Sequence, residues 1–256
     1  MTDEIIAEYV RSLSIPVYDV GPSDTLKFGS ALRLVQETSE QHLRVMRAGY
    51  EEMRRAAGLV FFIISTRVKI ARMPMHGERV TVKTHPRGRG GAQFYRDFRF
   101  YAEDGALLFD VMQTTVLADA ETHRVQRPQA LKQFGFYPES IIEPKERMER
   151  FSVPDGLPEL GERRVFHSDL DANGHMNNAV YGDVVWDFLP PGIRGDERTV
   201  RINYLCETEE GDTLRIFGGL RGEKFLLRGD NAKGVSFTAS VELFPAANAR
   251  IIPQDT

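Results

Sequence analysis

The sequence has little cysteine, no long apolar run and no excess of positive charge, and each absence excludes a class of protein. Cys206 is the only cysteine among 256 residues, so the chain cannot close an internal disulfide, which fits a reducing compartment. No apolar run approaches the roughly 20 residues of a membrane helix, and the acidic residues 1–4 are unlike a secretory signal. We therefore expect a cytoplasmic protein without a membrane span.

Charge and histidine spacing exclude two further classes. The formal net charge is -4, whereas a general nucleic-acid binder needs a basic surface. The histidines other than His175 form no i,i+4 pair, and no second cysteine can join Cys206 in a zinc site. With 41% hydrophobic and 27% charged residues, the chain can bury a full core. We expect an ordered protein with no nucleic-acid partner, no metal and no cofactor.

The most distinctive segment is the polar run DANGHMNN, which immediately precedes an apolar stretch of helical spacing. Side chains two residues apart in an extended chain point the same way, so Asp171, Asn173 and His175 can converge on one spot. A Pro-Pro pair ends the apolar stretch. Free backbone N–H groups at the helix start, near Asn177 and Asn178, would suit a substrate oxygen that gains negative charge.

Two other interpretations of this run are open on sequence alone. The pattern Asp169-x-Asp171-x-Asn173-Gly174 begins like a calcium-binding EF-hand loop. Its twelfth position is Val180, however, where a bidentate glutamate should stand. Alternatively, the polar residues make only an Asx turn and a helix cap, as Asp and Asn often do.

The same order of predicted elements occurs twice along the chain. A short strand opens each half, at 14–20 and at 163–167, and a polar loop and an amphipathic helix follow, the first helix at 28–47. Strand-like runs come next, at 59–73, 78–85, 93–101 and 106–119 in one half and at 199–208, 213–219, 224–228 and 234–244 in the other. The run GERVTV in the first half recurs as GDTLRI in the second, which indicates an internal duplication.

This pattern predicts an α+β fold of two tandem hotdog repeats, each a long helix wrapped by a curved antiparallel sheet. We place the N-terminal repeat at residues 1–135, a proline-punctuated linker at 136–160 and the C-terminal repeat at 161–256. The loop GPSDT at 21–25 corresponds to the polar run but lacks a histidine. We therefore expect one active site per chain, with the N-terminal repeat supplying binding rather than chemistry.

The chain resembles the acyl-acyl carrier protein thioesterases, the family that ends fatty-acid synthesis in plastids and has bacterial relatives. The resemblance covers nearly the whole chain. It is most specific at residues 168–178, followed by Tyr181 and Trp186, which are similar to the family's Asp-x-Asn-x-His-x-Asn-Asn motif. A second block, YLCE at 204–207, is similar to the family's Tyr-x-x-Glu. The resemblance implies catalytic roles for Asp171, Asn173, His175 and Glu207.

The second block departs from the family pattern in one residue, and strand alternation leaves the direction of the Glu207 side chain open. Plant members usually have a cysteine after the glutamate, whereas here Thr208 follows Glu207, so a cysteine mechanism is not expected. Strand alternation would bury Cys206 as a small apolar residue and turn Glu207 to the other face. Glu207 then reaches the site only if a bulge re-aims it or that face meets the other repeat. The acidic neighbours of Glu207 are also typical of a solvated turn.

The resemblance implies hydrolysis of fatty acyl-acyl carrier protein thioesters by water. Glu207 or Asp171 would be the general base, His175 would polarise the water or protonate the thiolate, and Asn173 would hold the water or the carbonyl. A covalent acyl intermediate is a further alternative. Other candidates are a broad acyl-coenzyme A thioesterase, a non-catalytic acyl-binding protein and a hotdog dehydratase. The sequence leaves open the preferred acyl-chain length, the choice between carrier protein and coenzyme A, and the oligomeric state, including a possible homodimer.

Two binding regions complete the expectations. An acyl chain needs a long apolar slot, which the first repeat offers in Phe61, Phe62, Ile63 and Ile64, although such residues usually fill a core. An acidic acyl carrier protein needs basic contacts despite the net negative charge. The candidates for these contacts are Arg87, Arg89, Arg163 and Arg164.

Overall fold

A computed structural model describes residues 8–134 and 151–243 of the chain. The predicted chain start, most of the predicted linker and residue 244 of the last predicted strand lie outside these residues. Within the two described ranges, no helix is both long enough and apolar enough to cross a membrane.

Two repeats of similar element order make up the described chain. The first repeat contains β1 (Tyr9–Ser14), α1 (Phe28–Val45), α2 (Tyr50–Ala57), β2 (Leu59–Ile70), β3 (Arg79–Gly90), β4 (Gln93–Tyr101) and β5 (Leu107–Asp119). The second repeat contains β6 (Glu159–Arg164), α3 (Asn178–Phe188), β7 (Arg198–Tyr204), β8 (Thr213–Arg221), β9 (Lys224–Asn231) and β10 (Gly234–Leu243). Short 3₁₀ turns lie at Val17–Asp19, Pro128–Phe134, His167–Asp169 and Pro191–Ile193.

These strands form one antiparallel sheet in the order β1-β3-β4-β5-β2-β7-β10-β9-β8-β6. Each repeat is a continuous block of this order, and the blocks meet where residues 65–70 of β2 pair with residues 198–203 of β7. The main apolar core lies between sheet and helices, and its largest buried side chains are Phe28, Phe98, Phe100, Phe109 and Phe237. This is the predicted α+β layout.

The loop before the main helix closes in the same way in both repeats. In the first repeat, the Gly21 N–H donates to Thr25 O over 2.9 Å. In the second, the Asp171 N–H donates to His175 O over 2.8 Å. The predicted correspondence of the two loops therefore agrees with their hydrogen bonding, and a threonine stands in the first repeat where the second has its histidine.

The two main helices touch at glycines. A Cβ on Gly182 of α3 would lie 2.7 Å from Leu32 Cδ1 and 3.1 Å from Phe28 Cδ1, both on α1. A Cβ on Gly29 of α1 would collide with the Asp183 carboxylate. Glycine at both positions lets the helices approach closely, which sets how the two repeats pack together.

The opening strands of both repeats end earlier than predicted. Of the strand predicted at 14–20 only Ser14 belongs to β1, and of the strand predicted at 163–167 only residues 163–164 belong to β6; 3₁₀ turns follow both strands. Pro16 has no N–H with which to continue the first ladder. In the second, the Phe166 N–H donates to the Asp169 carboxylate over 2.9 Å and leaves the ladder. The helix predicted at 28–47 and the other strands agree with the structure apart from their ends.

Helix α2 is not predicted by the sequence pattern. Its eight residues, YEEMRRAA, bury only Met53, so no apolar face indicates a helix. Gly58 ends it at φ 62°, a left-handed conformation that glycine adopts without strain from a Cβ. The omission matters because α2 carries Tyr50 to the site described next.

Candidate active site

The polar run forms a tight loop in front of α3. The Gly174 N–H donates to Asp171 O over 3.0 Å, and the Asp171 N–H donates to His175 O over 2.8 Å. Gly174 has φ 80°, which other residues rarely adopt. The Met176 N–H donates to Thr208 O over 2.8 Å. Backbone hydrogen bonds therefore hold the loop at both ends, and they fix the backbone positions from which its polar side chains extend.

Asp171 and Asn173 form one half of the site. The Asn173 N–H donates to Asp171 Oδ1 over 2.8 Å, and Asn173 Nδ2 lies 3.5 Å from Asp171 Oδ2. The Tyr50 hydroxyl donates to Asn173 Oδ1 over 2.6 Å. This is the Asx turn that the sequence left open, but both side chains also line a cavity. The structural and the catalytic interpretations of the run are therefore compatible.

His175 and Glu207 form the other half. His175 Nε2 lies 3.5 Å from Glu207 Oε2, and the exposed fractions of the two side chains are 17% and 42%. Both line the same cavity as Asp171 and Asn173. The four residues to which the resemblance assigns catalysis thus surround one space, as two neighbouring pairs.

The segment before Glu207 leaves the sheet, contrary to the strand predicted at 199–208. The N–H groups of Leu205 and Cys206 both donate to Ser236 O, over 2.8 and 3.1 Å. When two successive residues face one partner, the alternation of side chains is broken. This is why Glu207 reaches the imidazole of the loop instead of pointing to the opposite face of the sheet.

His123, which sequence reasoning missed, completes the cluster from the first repeat. Its Nδ1 lies 2.8 Å from Glu207 Oε1. Its ring meets the rings of His175 and Phe62 edge-on, with centroids 5.3 and 5.2 Å apart. No spacing along the sequence connects His123 with the polar run. The pairing of β5 with β2, together with the pairing of β2 with β7 across the two repeats, brings the two together, and neither pairing is visible in a local motif.

The turn that carries His123 is built around Asp119. The Asp119 Oδ1 accepts hydrogen bonds from Thr122 N over 2.7 Å, Thr122 Oγ1 over 2.8 Å and Glu121 N over 3.1 Å. The bond from the Thr122 backbone is the main reason that the pKa of Asp119 lies below its usual value. An ionised, well-bonded aspartate therefore supports the turn at neutral pH.

His123, His175 and Glu207 could together ligate a cation. One ligand atom of each lies within 4.8 Å of the others, and imidazole nitrogens with a carboxylate oxygen are a donor set that zinc accepts. Histidine spacing along the chain predicts no metal site. That criterion cannot detect a cluster to which both repeats contribute.

The start of α3 is capped by Asn177. Its Oδ1 accepts from the Ala179 N–H over 2.8 Å, and its own N–H donates to Asp169 O over 2.9 Å. The Tyr204 hydroxyl donates to Asn178 O over 3.3 Å, and burial raises the pKa of Tyr204, so it stays a donor. Because the Ala179 N–H is capped, the Asn178 N–H is the candidate donor to a substrate oxygen.

A cavity of about 700 Å³ extends from these side chains into the first repeat. Phe61, Phe62, Ile63 and Ile64, the predicted acyl slot, all line it. The pairing of β2 with β5 shifts between Ile63 and Ser65. Such a bulge interrupts the alternation of faces, which explains how successive residues reach one cavity.

A second apolar cluster lies against this cavity in the first repeat. Its buried members are Ala48, Met53, Leu59, Phe94, Leu117 and Leu131. Ala48, Met53, Phe94 and Leu131 of this cluster also line the cavity. The Phe61 and Phe94 rings meet edge-on at 5.4 Å. This cluster is the apolar wall of the cavity that lies in the first repeat, away from the polar side chains of the second.

Arg96 places a half-buried positive charge in the wall of the cavity, beside the apolar cluster. Arg96 Nη1 lies 2.8 Å from His42 Nδ1 and 3.4 Å from Thr84 Oγ1. Burial lowers the pKa of Arg96 to about 10. The guanidinium therefore remains charged at neutral pH, and part of the cavity wall is polar.

The prediction for Cys206 needs correction. The sequence predicts a small buried residue on the apolar face of a strand, whereas Cys206 is half-buried and lines the cavity, because β7 ends before it. The next-but-one residue, Thr208, is fully buried. The Tyr181 hydroxyl donates to Thr208 Oγ1 over 3.0 Å, and Ser236 Oγ lies 2.7 Å from it. Position 208 is thus part of a hydrogen-bond network in the protein interior.

The four arginines predicted to bind a carrier protein lie on two distant strands. Arg87 and Arg89 are on β3, and Arg163 and Arg164 are on β6, near opposite edges of the sheet. Arg87 Nε lies 3.3 Å from Asp97 Oδ2. Arg163 donates to both oxygens of Asp169 over 2.7 and 2.9 Å. Arg89 Nη1 donates to Gly91 O over 3.3 Å. Three of the four guanidinium groups therefore have polar partners within the protein, while Arg164 is exposed.

Comparison with known protein families gives two adjacent matches. The family described as acyl-ACP thioesterase N-terminal domain matches residues 7–130. The family described as acyl-ACP thioesterase C-terminal domain matches residues 159–231. Together the matches cover well over half of the chain, including all the candidate site residues.

Two curated plant proteins are similar in sequence. A chloroplastic acyl-[acyl-carrier-protein] hydrolase of Cuphea viscosissima is 23% identical over 203 residues, which are 72% of this chain and 47% of that protein. A chloroplastic palmitoyl-acyl carrier protein thioesterase of Cuphea hookeriana is also 23% identical, again over 72% of this chain and 47% of that protein. The chain thus spans about half the length of the curated relatives it matches.

Solved structures confirm the predicted α+β fold of two tandem hotdog repeats. An acyl-ACP thioesterase from Bacteroides thetaiotaomicron has a TM-score of 0.80 at 16% identity, over 92% of this chain and 97% of that chain. The 12:0-ACP thioesterase from Umbellularia californica has a TM-score of 0.78 at 20% identity, over 92% and 96% of the two chains. At such identities the likeness concerns the fold alone.

Proposed function

This chain belongs to the acyl-acyl carrier protein thioesterase family, and we propose that it hydrolyses fatty acyl-acyl carrier protein thioesters to a free fatty acid and the carrier thiol. The observation that carries the proposal is the pair His175 and Glu207, 3.5 Å apart in the wall of a cavity of about 700 Å³. Imidazole and carboxylate supply acid–base chemistry, and the cavity has the size of a ligand pocket.

Glu207 is the proposed general base. Its carboxylate takes a proton from water, and the water oxygen attacks the thioester carbonyl carbon. The carbonyl oxygen becomes negative, and the Asn178 N–H at the start of α3 is the proposed donor to it. The proton passes from Glu207 to His175, which delivers it to the sulfur as the C–S bond breaks. One water is consumed, and the products are the acid and the thiol.

Asp171 is proposed to orient Asn173 rather than to act as the base. Its two oxygens face donors of Asn173, 2.8 Å from the backbone N and 3.5 Å from Nδ2. The Asn173 carbonyl oxygen is engaged by Tyr50, so the amide N–H₂ is the group that can hold the substrate carbonyl or the water in line.

A free-thiol release assay tests the proposed hydrolysis. The wild type is expected to release thiol from acyl-acyl carrier protein substrates over a panel of chain lengths. His175→Ala and Glu207→Gln should each lower kcat by at least about 10²-fold. Cys206→Ala, in the same cavity wall, is the matched control and should keep most of the activity.

Two outcomes would contradict this assignment. Near-complete loss of activity in a folded Cys206→Ala variant would favour a cysteine nucleophile. Binding of acylated carrier by the wild type without any thiol release would favour a non-catalytic acyl-binding protein. Circular dichroism of each variant separates loss of chemistry from loss of fold.

We further propose that an acidic carrier protein contacts Arg164, which is exposed next to the exposed ring of Phe166, 5.8 Å from the guanidinium carbon. Charge complementarity mainly governs encounter and register, so Arg164→Glu should raise KM for acyl-acyl carrier protein by about 3-fold or more. The same acyl chain on coenzyme A should be affected much less. Equal effects on both carriers would favour a general acyl thioesterase.

A further inference from the structure

We propose that His123 is a positioning residue for Glu207, so that the first repeat contributes to the reacting centre as well as to the acyl cavity. The inference deepens the proposed hydrolysis and rests on it. His123 Nδ1 contacts the carboxylate at 2.8 Å, and His123 acts through that carboxylate rather than on the substrate.

The two oxygens of Glu207 face different histidines. Oε1 lies 2.8 Å from His123 Nδ1, a normal hydrogen-bond length. Oε2 lies 3.5 Å from His175 Nε2, which is longer than a good hydrogen bond. The shorter contact holds one oxygen, and the longer one leaves the other oxygen able to accept a proton from water. In this arrangement His123 positions Oε1, and Oε2 is the oxygen that accepts the proton.

Glu207 lies where an unsupported carboxylate would rotate freely. It follows the end of β7, and 42% of its side chain is exposed. Glutamate also has three rotatable side-chain bonds, two with staggered states and a third, next to the carboxylate, that rotates broadly. A hydrogen bond from a fixed partner increases the time that the carboxylate spends in the reactive orientation, which is the purpose of a positioning residue.

His123 is itself held in place. Its backbone N–H donates to the Asp119 backbone carbonyl over 3.0 Å, and its ring packs edge-on against Phe62 and His175. Its φ of 55° is uncommon outside glycine, although histidine is among the residues that tolerate it. The left-handed turn directs the imidazole toward Glu207, which a straight continuation of β5 would not do.

Two substitutions separate hydrogen bonding from packing. His123→Asn places an amide nitrogen near the position of Nδ1 and tolerates the left-handed backbone. His123→Phe keeps a ring against Phe62 but removes the ring nitrogens. With acyl-acyl carrier protein, His123→Phe should lower kcat about 10-fold and change KM by less than about 2-fold. His123→Asn should recover most of kcat.

The chain offers a matched control in another histidine and glutamate pair. His167 Nδ1 lies 3.6 Å from Glu210 Oε2 on the surface of the second repeat, with exposed fractions of 89% and 58%. His167→Phe should leave kcat unchanged. A similar loss in this variant would mean that the effect of His123→Phe is not specific to the site.

Combined substitutions test whether His123 acts through Glu207. On a Glu207→Gln background, His123→Phe should change kcat by less than about 2-fold, because residues that act as a unit are not additive. A full additional 10-fold loss there would overturn the proposal, as would equal losses in His123→Asn and His123→Phe. Loss of wild-type activity on chelation, restored by Zn²⁺, would overturn it in favour of metal ligation.

A measurement without substrate keeps this inference distinct from the proposed function. The ¹⁵N resonances of the His123 imidazole report on its hydrogen bond, and they should shift in Glu207→Gln but not in Glu210→Gln. If the wild type released no thiol but these shifts were seen, the contact would stand and the proposed hydrolysis would fail. Unchanged ¹⁵N resonances in Glu207→Gln would overturn the contact itself.

Discussion

The Tyr50 hydroxyl donates a hydrogen bond to Asn173 Oδ1 over 2.6 Å, across 123 positions of the chain. It ties α2 of the first repeat to the polar loop of the second. The bond also determines the orientation of the Asn173 side-chain amide. Its oxygen faces Tyr50, so its N–H₂ group is available to other partners. Arg54 Nη1 donates to the same hydroxyl over 3.2 Å, so the tyrosine is itself anchored.

Tyr50→Phe removes this hydroxyl and keeps the ring. We expect kcat/KM for acyl-acyl carrier protein to fall about 10-fold, because the Asn173 amide can then rotate away from the reacting atoms. Stability should change by less than about 1 kcal/mol, as the bond is only partly buried. Steady-state kinetics with thermal unfolding checks both values. Tyr18→Phe, at an exposed tyrosine, is the control, and an equal loss there would contradict the role of Tyr50.

Ala48 should control acyl chain length. It is fully buried in the second apolar cluster and lines the cavity. Ala48→Leu would occupy space there, so the longest accepted acyl chains should lose binding at about 0.8 kcal/mol for each methylene that no longer fits. We expect the optimum on a chain-length panel to move to shorter substrates.

Met53→Ala should act in the opposite direction, because it removes a buried side chain from the same cavity wall. Ala106→Leu, at an exposed alanine, is the control for a leucine as such. An unchanged chain-length profile in folded Ala48→Leu and Met53→Ala variants would place the acyl chain elsewhere.

The polar loop could be predicted from the sequence because its information is local. Asp171, Asn173 and His175 lie within five positions, and the turn that holds them depends mainly on one glycine and nearby backbone groups. A catalytic role for Glu207 is predicted only through the resemblance to a known family. Its direction depends on where β7 ends, and residue alternation alone points it to the wrong face.

His123 and Tyr50 could not be predicted, because both contacts depend on tertiary packing. His123 reaches the site through a left-handed turn after β5, which pairs with β2, and through the pairing of β2 with β7 of the second repeat. Tyr50 reaches it through α2, a short helix that buries only Met53. Neither residue has a neighbour in sequence that would mark it as functional.

Gly182 should be intolerant of larger side chains. A Cβ there would lie 2.7 Å from Leu32 Cδ1 and 3.4 Å from Gly29 Cα. Gly182→Val should therefore destabilise the fold by about 1–3 kcal/mol, the usual effect of overpacking a close contact. Chemical denaturation measures this value. Gly192→Val is the control, since a Cβ on Gly192 would meet nothing within 4 Å, and an equal loss there would contradict the helix contact as the cause.

The ion pair between Arg163 and Asp169 should make a contribution to the free energy of unfolding that is lost at acid pH. Burial tends to raise the pKa of Asp169, but the hydrogen bonds from Arg163 and the Phe166 N–H outweigh it and hold the pKa below its usual value. A carboxylate with a lowered folded pKa stabilises the fold above its unfolded pKa, and this contribution is lost as pH falls through the folded pKa. Arg163→Gln should therefore lower the free energy of unfolding at pH 7 by about 1–3 kcal/mol.

The difference between wild type and Arg163→Gln should narrow as the pH falls from neutral to below the folded pKa of Asp169, because a protonated carboxyl no longer needs the guanidinium. Urea unfolding at a series of pH values measures this narrowing. Arg164→Gln, at the exposed neighbouring arginine, should change stability little at any pH. A gap that stayed constant down to acid pH would show that Arg163 stabilises the protein through packing of its stem. If Arg163→Gln instead left stability unchanged and raised KM for the acylated carrier protein alone, Arg163 would belong to the carrier contact and not to the fold.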